Sequence, residues 1–531
     1  MTPQSPDRRR DEARAFADME TVQGKKTTMA TPVETELKFE IDAAAARDLL
    51  AHPRLAGGGV EIQLLVARYF DTPTEALRRA GASLRLRDGE GEGRVQTVKF
   101  AGGETTGLFS RSEETVEVAA SARRPDLARF EEETAARLAA IVGEEPLELQ
   151  FTVRVERRIV AEKTADGSLV EIGVDSGKVT AGRRSHAFHE IEFELKGGDA
   201  RALFALAADL VPPVGGRLGT GSKSSLGYRV KQGAEALAPQ AVKASEPDLS
   251  GDVTVEAALR ACLRSCIAQV AANIPVCLFT DAPEGPHQLR VGLRRLRTVL
   301  SAFEPVMAPG AAEALGEEAK WLADEVGALR DADVLADEIV APLAGRVGLA
   351  GPLAKLADLR DERRTALRET LGGPRACRFV IDLLAFAECR GWLSSTDLTQ
   401  SERLIAPLEG FAREAVDHRR KKIDKLAHRL DDLDAEERHD LRKSFKKMRY
   451  LLEFFAPLLP GKKAKALVSR TKKAQDLLGY LNDTVMAHRL PGLVGEGASV
   501  ADLTALGYVI GWHEAKAEDA WERTKALFED D

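Results

Sequence analysis

Glu34-Thr-Glu36-Leu-Lys38-Phe-Glu40-Ile41 is the stretch whose reading decides the fold. With the period of two of a β-strand, Glu34, Glu36, Lys38 and Glu40 share one face, and Thr35, Leu37, Phe39 and Ile41 share the other. For one strand alone, a solvated sheet face explains the pattern. The pattern repeats, however. Arg85 and Arg87 oppose Leu84 and Leu86, and Glu171 and Asp175 oppose Val170, Ile172 and Val174. Glu190, Glu192, Glu194 and Lys196 oppose Ile191, Phe193 and Leu195. Three adjacent glutamates on one face repel each other unless something positive lies between them. A hard divalent cation with carboxylate ligands is the natural solution. The arginines and Lys99 then suit a second, anionic species, because guanidinium forks match phosphate oxygens. If the sheet closes, these faces line a polar lumen inside an apolar shell.

Outward from that stretch, period two persists to about Val230, with candidate strands near 33–41, 62–70, 82–88, 94–100, 112–118, 149–162, 169–176 and 187–196. Helical signals interrupt them at 43–51, 125–141 and 199–211, opened by Asp42, Pro125 and Asp199. Many short strands with few helices predict an antiparallel sheet or closed barrel. Residues 1–28 are polar and read as a disordered leader, so that Met29 is either the functional start or part of a flexible tail. Residues 231–253, rich in Ala, Pro, Ser and charge, read as a linker.

Beyond 254 the periodicity is helical, and it repeats. His287-Gln-Leu-Arg290-x3-Arg294-x2-Arg297-x5-Phe303 recurs as His439-Asp-Leu-Arg442-x3-Lys446-x2-Arg449-x5-Phe455, every position offset by 152 residues. The same offset relates Gly327-Ala-Leu-Arg-Asp331 to Gly479-Tyr-Leu-Asn-Asp483. Two helical halves follow, about 254–400 and 401–531. Leu289, Leu293, Leu296, Leu300 and Phe303 form a core seam, with the His/Arg stripe about 100° round the helix. A basic face beside a seam is usually just solvated; its duplication with the histidines favours an anion cavity shared by the halves.

Composition bounds the function. The chain has 531 residues, enough at roughly 100–200 per domain for two to four domains. Five cysteines without a CxxC pair give neither a disulfide framework nor a zinc site, so a reducing, cytoplasmic setting is expected. The uncharged run Ser265–Thr280 spans 16 residues and contains Gln269, Asn273 and Pro275, which argues against a membrane partner. A net charge of −8 and the lack of aromatic interleaving argue against nucleic acid.

Glu34-x-Glu36-x-Lys38 resembles the ExExK signature of the CYTH family, the triphosphate tunnel metalloenzymes. Tyr69-Phe-Asp-Thr72, Leu84-Arg-Leu-Arg87, Val98-Lys99-Phe100, Arg111-Ser-Glu113, Asp175-Ser-Gly177, Glu190-Ile-Glu-Phe-Glu194 and Ser222-Lys223 continue the resemblance in order. It implies an eight-stranded antiparallel barrel, and thus an α+β chain, with residues 29–230 as the tunnel domain. It implies Mg2+ or Mn2+ on the acidic side, at Glu34, Glu36, Glu190 and Glu192, helped by Glu113, Asp175 and Glu194. Lys38, Arg85, Arg87, Lys99, Arg111 and Lys223 would grip phosphate, and Glu34, Glu36 and Lys38 would form the catalytic group. One further arginine is open: family spacing selects Arg157, whereas simple alternation places Arg154 with Thr152 and Glu156. The repeats of residues 254–531 resemble the CHAD family, which implies inorganic polyphosphate bound by His287, Arg290, Arg294, Arg297, His439, Arg442, Lys446 and Arg449. The second copy departs at Lys446 for Arg294 and Asn482 for Arg330. The pairing resembles bacterial inorganic triphosphatases, which cleave tripolyphosphate to pyrophosphate and phosphate. The alternatives are a thiamine triphosphatase or adenylate cyclase of the same fold, or a polyphosphate-binding protein without activity. Oligomeric state is left open.

Overall fold

The computed structural model describes residues 33–529 except 57–58, 90–92, 101–107, 456–457, 460 and 495. The expected leader over 1–28 lies outside the described residues, and so do the side chains of Glu34, Arg111 and Asn482. The β-strands and helices up to Pro239, together with Gly372–Ala385, form one compact unit; Gln240–Leu371 and Phe386–Asp531 form a second.

The first unit contains β1 (Val33–Ile41), α1 (Ala43–Ala51), β2 (Glu61–Asp71), α2 (Ala76–Arg79), β3 (Ala82–Asp88), β4 (Arg94–Phe100) and β5 (Leu108–Val118). It continues through α3 (Glu132–Val142), β6 (Glu148–Lys163), β7 (Leu169–Ala181), β8 (Arg184–Gly197), α4 (Arg201–Leu210), β9 (Arg217–Leu218), α5 (Lys223–Gln232) and α6 (Ala234–Leu237). Where the sequence predicts eight strands, the structure has nine, in the order β5-β4-β3-β2-β6-β7-β8-β1-β9. The extra strand, β9, has two residues, too few to leave a period-two signal. All pairings are antiparallel, and β5 also pairs with β1, from Val33↔Ser112 to Leu37↔Leu108. The remaining part of that β1 edge, Phe39 and Glu40, pairs with β9. The sheet therefore curls so that its first and eighth strands meet.

The apolar faces point outward and are covered. Leu37, Phe39, Leu84, Leu86, Ile172 and Phe193 are at most 1% exposed. Leu84 and Val98 pack with Leu77, Phe130, Leu138 and Val142, which come from α2, α3 and the turn before α3. The inner face is not polar throughout. Leu65, Ala67, Tyr69, Phe151, Val153 and Val155 form an apolar stretch buried with Tyr228 and Val230 of α5. Gly227 permits this seating, because a Cβ there would lie 2.1 Å from the Phe151 ring.

Asp71, within the Tyr69–Thr72 motif, is fully buried and structural. Its carboxylate accepts from the backbone N–H groups of Leu77 (2.8 Å) and Arg78 (3.0 Å) at α2 and from the Tyr228 hydroxyl (2.6 Å) of α5. Asp71→Ala leaves those donors without a partner, so a loss of about 2–4 kcal/mol is expected. Chemical denaturation of the full chain checks this. A midpoint unchanged from the parent would show that the motif does not tie α2 to α5.

The second unit is helical: α7 (Val255–Phe279), α8 (Glu284–Phe303), α9 (Glu313–Asp333), α10 (Ala350–Gly372), α11 (Pro374–Glu388, begun in the first unit), α12 (Gln400–Ile405), α13 (Leu408–Ala427), α14 (Ala435–Phe455), α15 (Lys462–Val494) and α16 (Val500–Glu529). A π-helical turn, Val334–Val340, follows α9. The repeated segments fall on α8 and α14, and their equivalent residues Phe303 and Phe455 meet with ring centroids 6.1 Å apart. Phe411 of α13 stacks on Phe303 at 4.7 Å. The predicted seam is the core, with Leu289, Leu293, Leu296 and Phe303 at most 1% exposed. Among the described residues, α7 is the one helix long and apolar enough to cross a membrane, and 67% of its apolar window is buried within the protein.

Candidate functional site

The curled sheet encloses a cavity of about 610 Å3 lined from all eight long strands, including Glu36 and Lys38 of β1, Arg85 and Arg87 of β3, Lys99 of β4 and Glu113 of β5. Glu61 of β2, Arg157 of β6, Glu171 of β7, Glu192, Glu194 and Lys196 of β8, and Lys223 at the start of α5 complete the charged lining. The Ser222 hydroxyl caps α5 by accepting from the Ser225 N–H at 3.1 Å, which sets Lys223 at the cavity.

Asp175, Glu190 and Glu192 converge: one oxygen from each lies within 4.8 Å of the others. They are 0%, 5% and 8% exposed. Lys223 Nζ sits among them, 2.9 Å from Asp175, 2.8 Å from Glu192 and in contact with Glu190. Arg157 grips both Asp175 oxygens at 2.7 Å and also contacts Glu192. Lys38 lies 3.6 Å from Glu190. Burial would raise the Glu192 carboxyl, but Lys223, Arg157 and Lys38 outweigh it and hold Glu192 well below the usual carboxylate range. At Glu36 the charges of Lys38, Lys223 and Lys99 do not make up for burial. Burial, with Glu192 beside it, pushes its carboxyl up to about 7. Burial likewise raises Glu190. Three buried carboxylates drawing in an ammonium group are a hard-oxygen donor set, and the residues fit a hard divalent cation.

The structure brings together part of the set expected from sequence. Glu113 stands apart from the acidic cluster, paired with Lys99 and, at 3.4 Å, with Arg85. Glu194 lines the cavity but pairs with Lys196 at 2.8 Å. Arg157 and Lys223, expected to grip phosphate, are paired with the acidic cluster. Arg154 is exposed on the outer face of β6, so it does not belong to the cavity. No bulge is needed to bring Arg157 inside. The inner face of β6 carries Val153, Val155 and Arg157 in strict alternation, apolar under α5 and polar beyond it. Glu171 and Tyr69 line the cavity too. Alternation from Asp175 marks Glu171; Tyr69 shares a face with Leu65 and Ala67 and gives no polar signal.

In the second unit a cavity of about 1290 Å3 is lined by His287, Arg290, Arg294 and Arg297 of α8 and by His439, Arg442 and Lys446 of α14. Arg290 donates to Asp331 at 2.7 Å and to the Gly327 carbonyl at 3.2 Å. A Cβ at Gly327 would lie 3.3 Å from the Arg290 guanidinium, so glycine keeps this path open. Burial and Arg330 hold His287 below the ordinary imidazole value; burial, Lys443 and Arg442 do the same to His439. Arg449 lines neither cavity of this unit. Its guanidinium is taken at 2.7 Å by Glu453, one turn on, where the first repeat has Ser301. A second cavity of about 540 Å3 shares Arg294, Arg297, Lys443 and Lys446 with the first and adds Arg419, Lys422 and Lys447. The charge runs of α13 are legible in sequence, but their meeting with α14 depends on helix packing.

Residues 33–217 match the CYTH domain family model and residues 261–490 the CHAD domain model. A curated relative, an inorganic triphosphatase of Haemophilus influenzae, is 25% identical over 216 residues, 40% of this chain and 56% of the relative, so the chain spans about half that protein's length. The CHAD domain of the plant Ricinus communis is 29% identical, with a TM-score of 0.46, covering 55% of this chain and 96% of that one. The Hippeastrum protein HpAC1, described as an adenylyl cyclase candidate with a dominant triphosphatase activity, is 18% identical, with a TM-score of 0.29, covering 37% and 95%. The polar-lined antiparallel sheet thus coincides with the match to the CYTH domain family, and the duplicated helical unit with the match to the CHAD domain family.

Proposed function

We propose that the CYTH domain hydrolyses inorganic triphosphate with a divalent cation and that the CHAD domain binds polyphosphate. The observation that carries this is one cavity with two chemically distinct walls. On one wall Glu192, with Glu36, brings to the cavity the carboxylate cluster it forms with the buried Asp175 and Glu190, while Lys38, Arg85, Arg87 and Lys99 present cations. Among the described residues, Tyr69 is the one aromatic side chain lining it, and its ring is already stacked on Phe151 at 4.8 Å. A nucleobase or thiazolium ring therefore finds little stacking surface. The inorganic triphosphatase of Haemophilus influenzae, 25% identical over 216 residues, supports the same reading.

Asp175, Glu190 and Glu192, with Glu36 beside them, would hold the cation, Mg2+ or Mn2+. Bound there, it would neutralise phosphate oxygens and lower the pKa of water. Lys38, Arg85, Arg87 and Lys99 bind the phosphate chain and stabilise charge on the phosphoryl group in transit. Arg157 and Lys223 hold Asp175 and Glu192 in place and keep Glu192 ionised. Glu36, with its carboxyl pushed up to about 7, is suited to accept a proton near neutrality.

Phosphate release from tripolyphosphate, thiamine triphosphate, ATP and long-chain polyphosphate, with Mg2+, Mn2+ or excess chelator, tests this. Tripolyphosphate should give a kcat/KM at least about tenfold above the organic esters, and chelator should abolish turnover. A better rate with ATP or thiamine triphosphate would overturn the inorganic assignment.

A further inference from the structure

The smaller cavity of the helical unit differs in chemistry from the larger one. Its lining holds seven cations, among them Arg419 and Lys422 of α13 and Lys447 of α14, and a single carboxylate, Asp440. That carboxylate is already paired with Lys443 at 3.2 Å. Hydroxyls of Thr298, Ser301, Ser444 and Tyr450 complete the lining. Arg419 buries its Nε without a partner. Among the described residues, Arg297, Arg419, Lys422, Lys446 and Lys447 make no ion pair. Cations that converge without counter-ions, with hydroxyls between them, suit phosphate oxygens.

Arg294 and Lys446, equivalent positions of the two repeats, are among the residues that line both cavities. Arg290 and Arg294 of α8 and Arg442 of α14 face Lys446, with Asp331 of α9 further off; Lys443 and Tyr450 flank it on α14, Arg419 and Lys422 lie across from α13, and Asp483 of α15 faces Arg442. Arginine does not give up its proton, but lysine can.

We propose that the smaller cavity is a further phosphate site, continuous with the larger, so that one chain of linked phosphates spans both and passes over Lys446. This rests on the polyphosphate reading of the helical unit and adds to it a minimum ligand length and a proton. Burial, with Arg294, Arg442 and Arg290 close by, pushes the Lys446 ammonium down to about 6. At pH 7.5 the empty site therefore holds Lys446 largely neutral. Phosphates laid across the junction restore its charge, so binding takes up a proton, and affinity falls as pH rises above about 6. A ligand confined to the larger cavity would leave Arg419 and Lys447 untouched.

Isothermal titration of the full chain tests this, using long-chain polyphosphate and pyrophosphate in two buffers of different ionisation enthalpy at pH 7.5. Long chains should bind at least about tenfold tighter than pyrophosphate. Arg419→Glu/Lys447→Glu should remove most of that gain. Lys446→Arg should still bind long chains, with proton uptake reduced to what His287 and His439 contribute. Long-chain affinity unchanged in the double variant overturns the second site, and uptake that stays at the parent level in Lys446→Arg overturns the path over Lys446. Tight binding of long chains without any proton uptake overturns the junction while leaving the polyphosphate reading intact. No binding of long chains at any pH removes both.

Discussion

Glu192→Gln in the full chain is expected to lower tripolyphosphate turnover on the order of 10²–10³-fold at saturating Mg2+. Glu192 is one of the three converging carboxylates, and Lys223, Arg157 and Lys38 hold it well below the usual carboxylate range. The amide keeps the shape but removes a charged ligand and leaves Lys223 and Arg157 with less compensation. A second readout separates this from unfolding. Glu192 is one of the causes that push Glu36 up, so its removal should move the acidic limb of the residual pH–rate profile to lower pH. Glu162→Gln, on the opposite side of β6 and paired with Arg54 at 2.8 Å, should retain parent activity. Parent-like turnover in Glu192→Gln, with the fold intact by circular dichroism, would sink the cation site.

Much of this was legible in the sequence because strand alternation and helical periodicity are local. Each of the polar faces at 34–40, 85–87, 171–175 and 190–196 contributes residues to one cavity, although Glu40, Asp175 and Glu190 do not line it, and the repeat offset of 152 residues places α8 and α14 as equivalents. What was not legible depends on packing between distant segments. Arg157 is a cavity residue because α5 covers Val153 and Val155 on the same face, turning an apparent outer surface into part of the lumen. Lys223 reads as a phosphate ligand from its motif, yet it sits among three carboxylates brought in by β7 and β8. Arg449 reads as the partner of Arg297, but Glu453 stands where Ser301 does and captures it. Local pattern marks which residues are charged and inward. Which counter-ion each one meets is decided by the pairing of strands and helices far apart in the chain.

In the helical unit the largest expected effect is on binding. Arg290→Glu/Arg442→Glu in the full chain should weaken long-chain polyphosphate binding by about 10³-fold or more, each single reversal costing about 10–10²-fold. Arg290 and Arg442 come from the two repeats and line one cavity, and each influences the charge of Lys446. Loss of both should therefore exceed loss of either. Binding by the parent should fall steeply with added salt, because phosphate contacts release counterions, and the double variant should show a shallower slope. Tripolyphosphate hydrolysis should persist, since both arginines belong to the CHAD domain. Arg290 is also held by Asp331, so a thermal melt must accompany the binding measurement. If Arg290→Gln, which removes the charge without opposing Asp331, leaves affinity unchanged, Arg290 is a structural partner of Asp331 and not a phosphate ligand. Binding to duplex DNA of matched charge decides the class of polyanion. With a net charge of −8 on the whole chain and exposed acidic residues on α16 such as Glu518 and Glu522 bordering the larger cavity, a rigid duplex meets repulsion that a thin phosphate chain avoids. DNA should therefore bind more weakly at every salt concentration, and equal or tighter binding would replace polyphosphate with nucleic acid as the ligand.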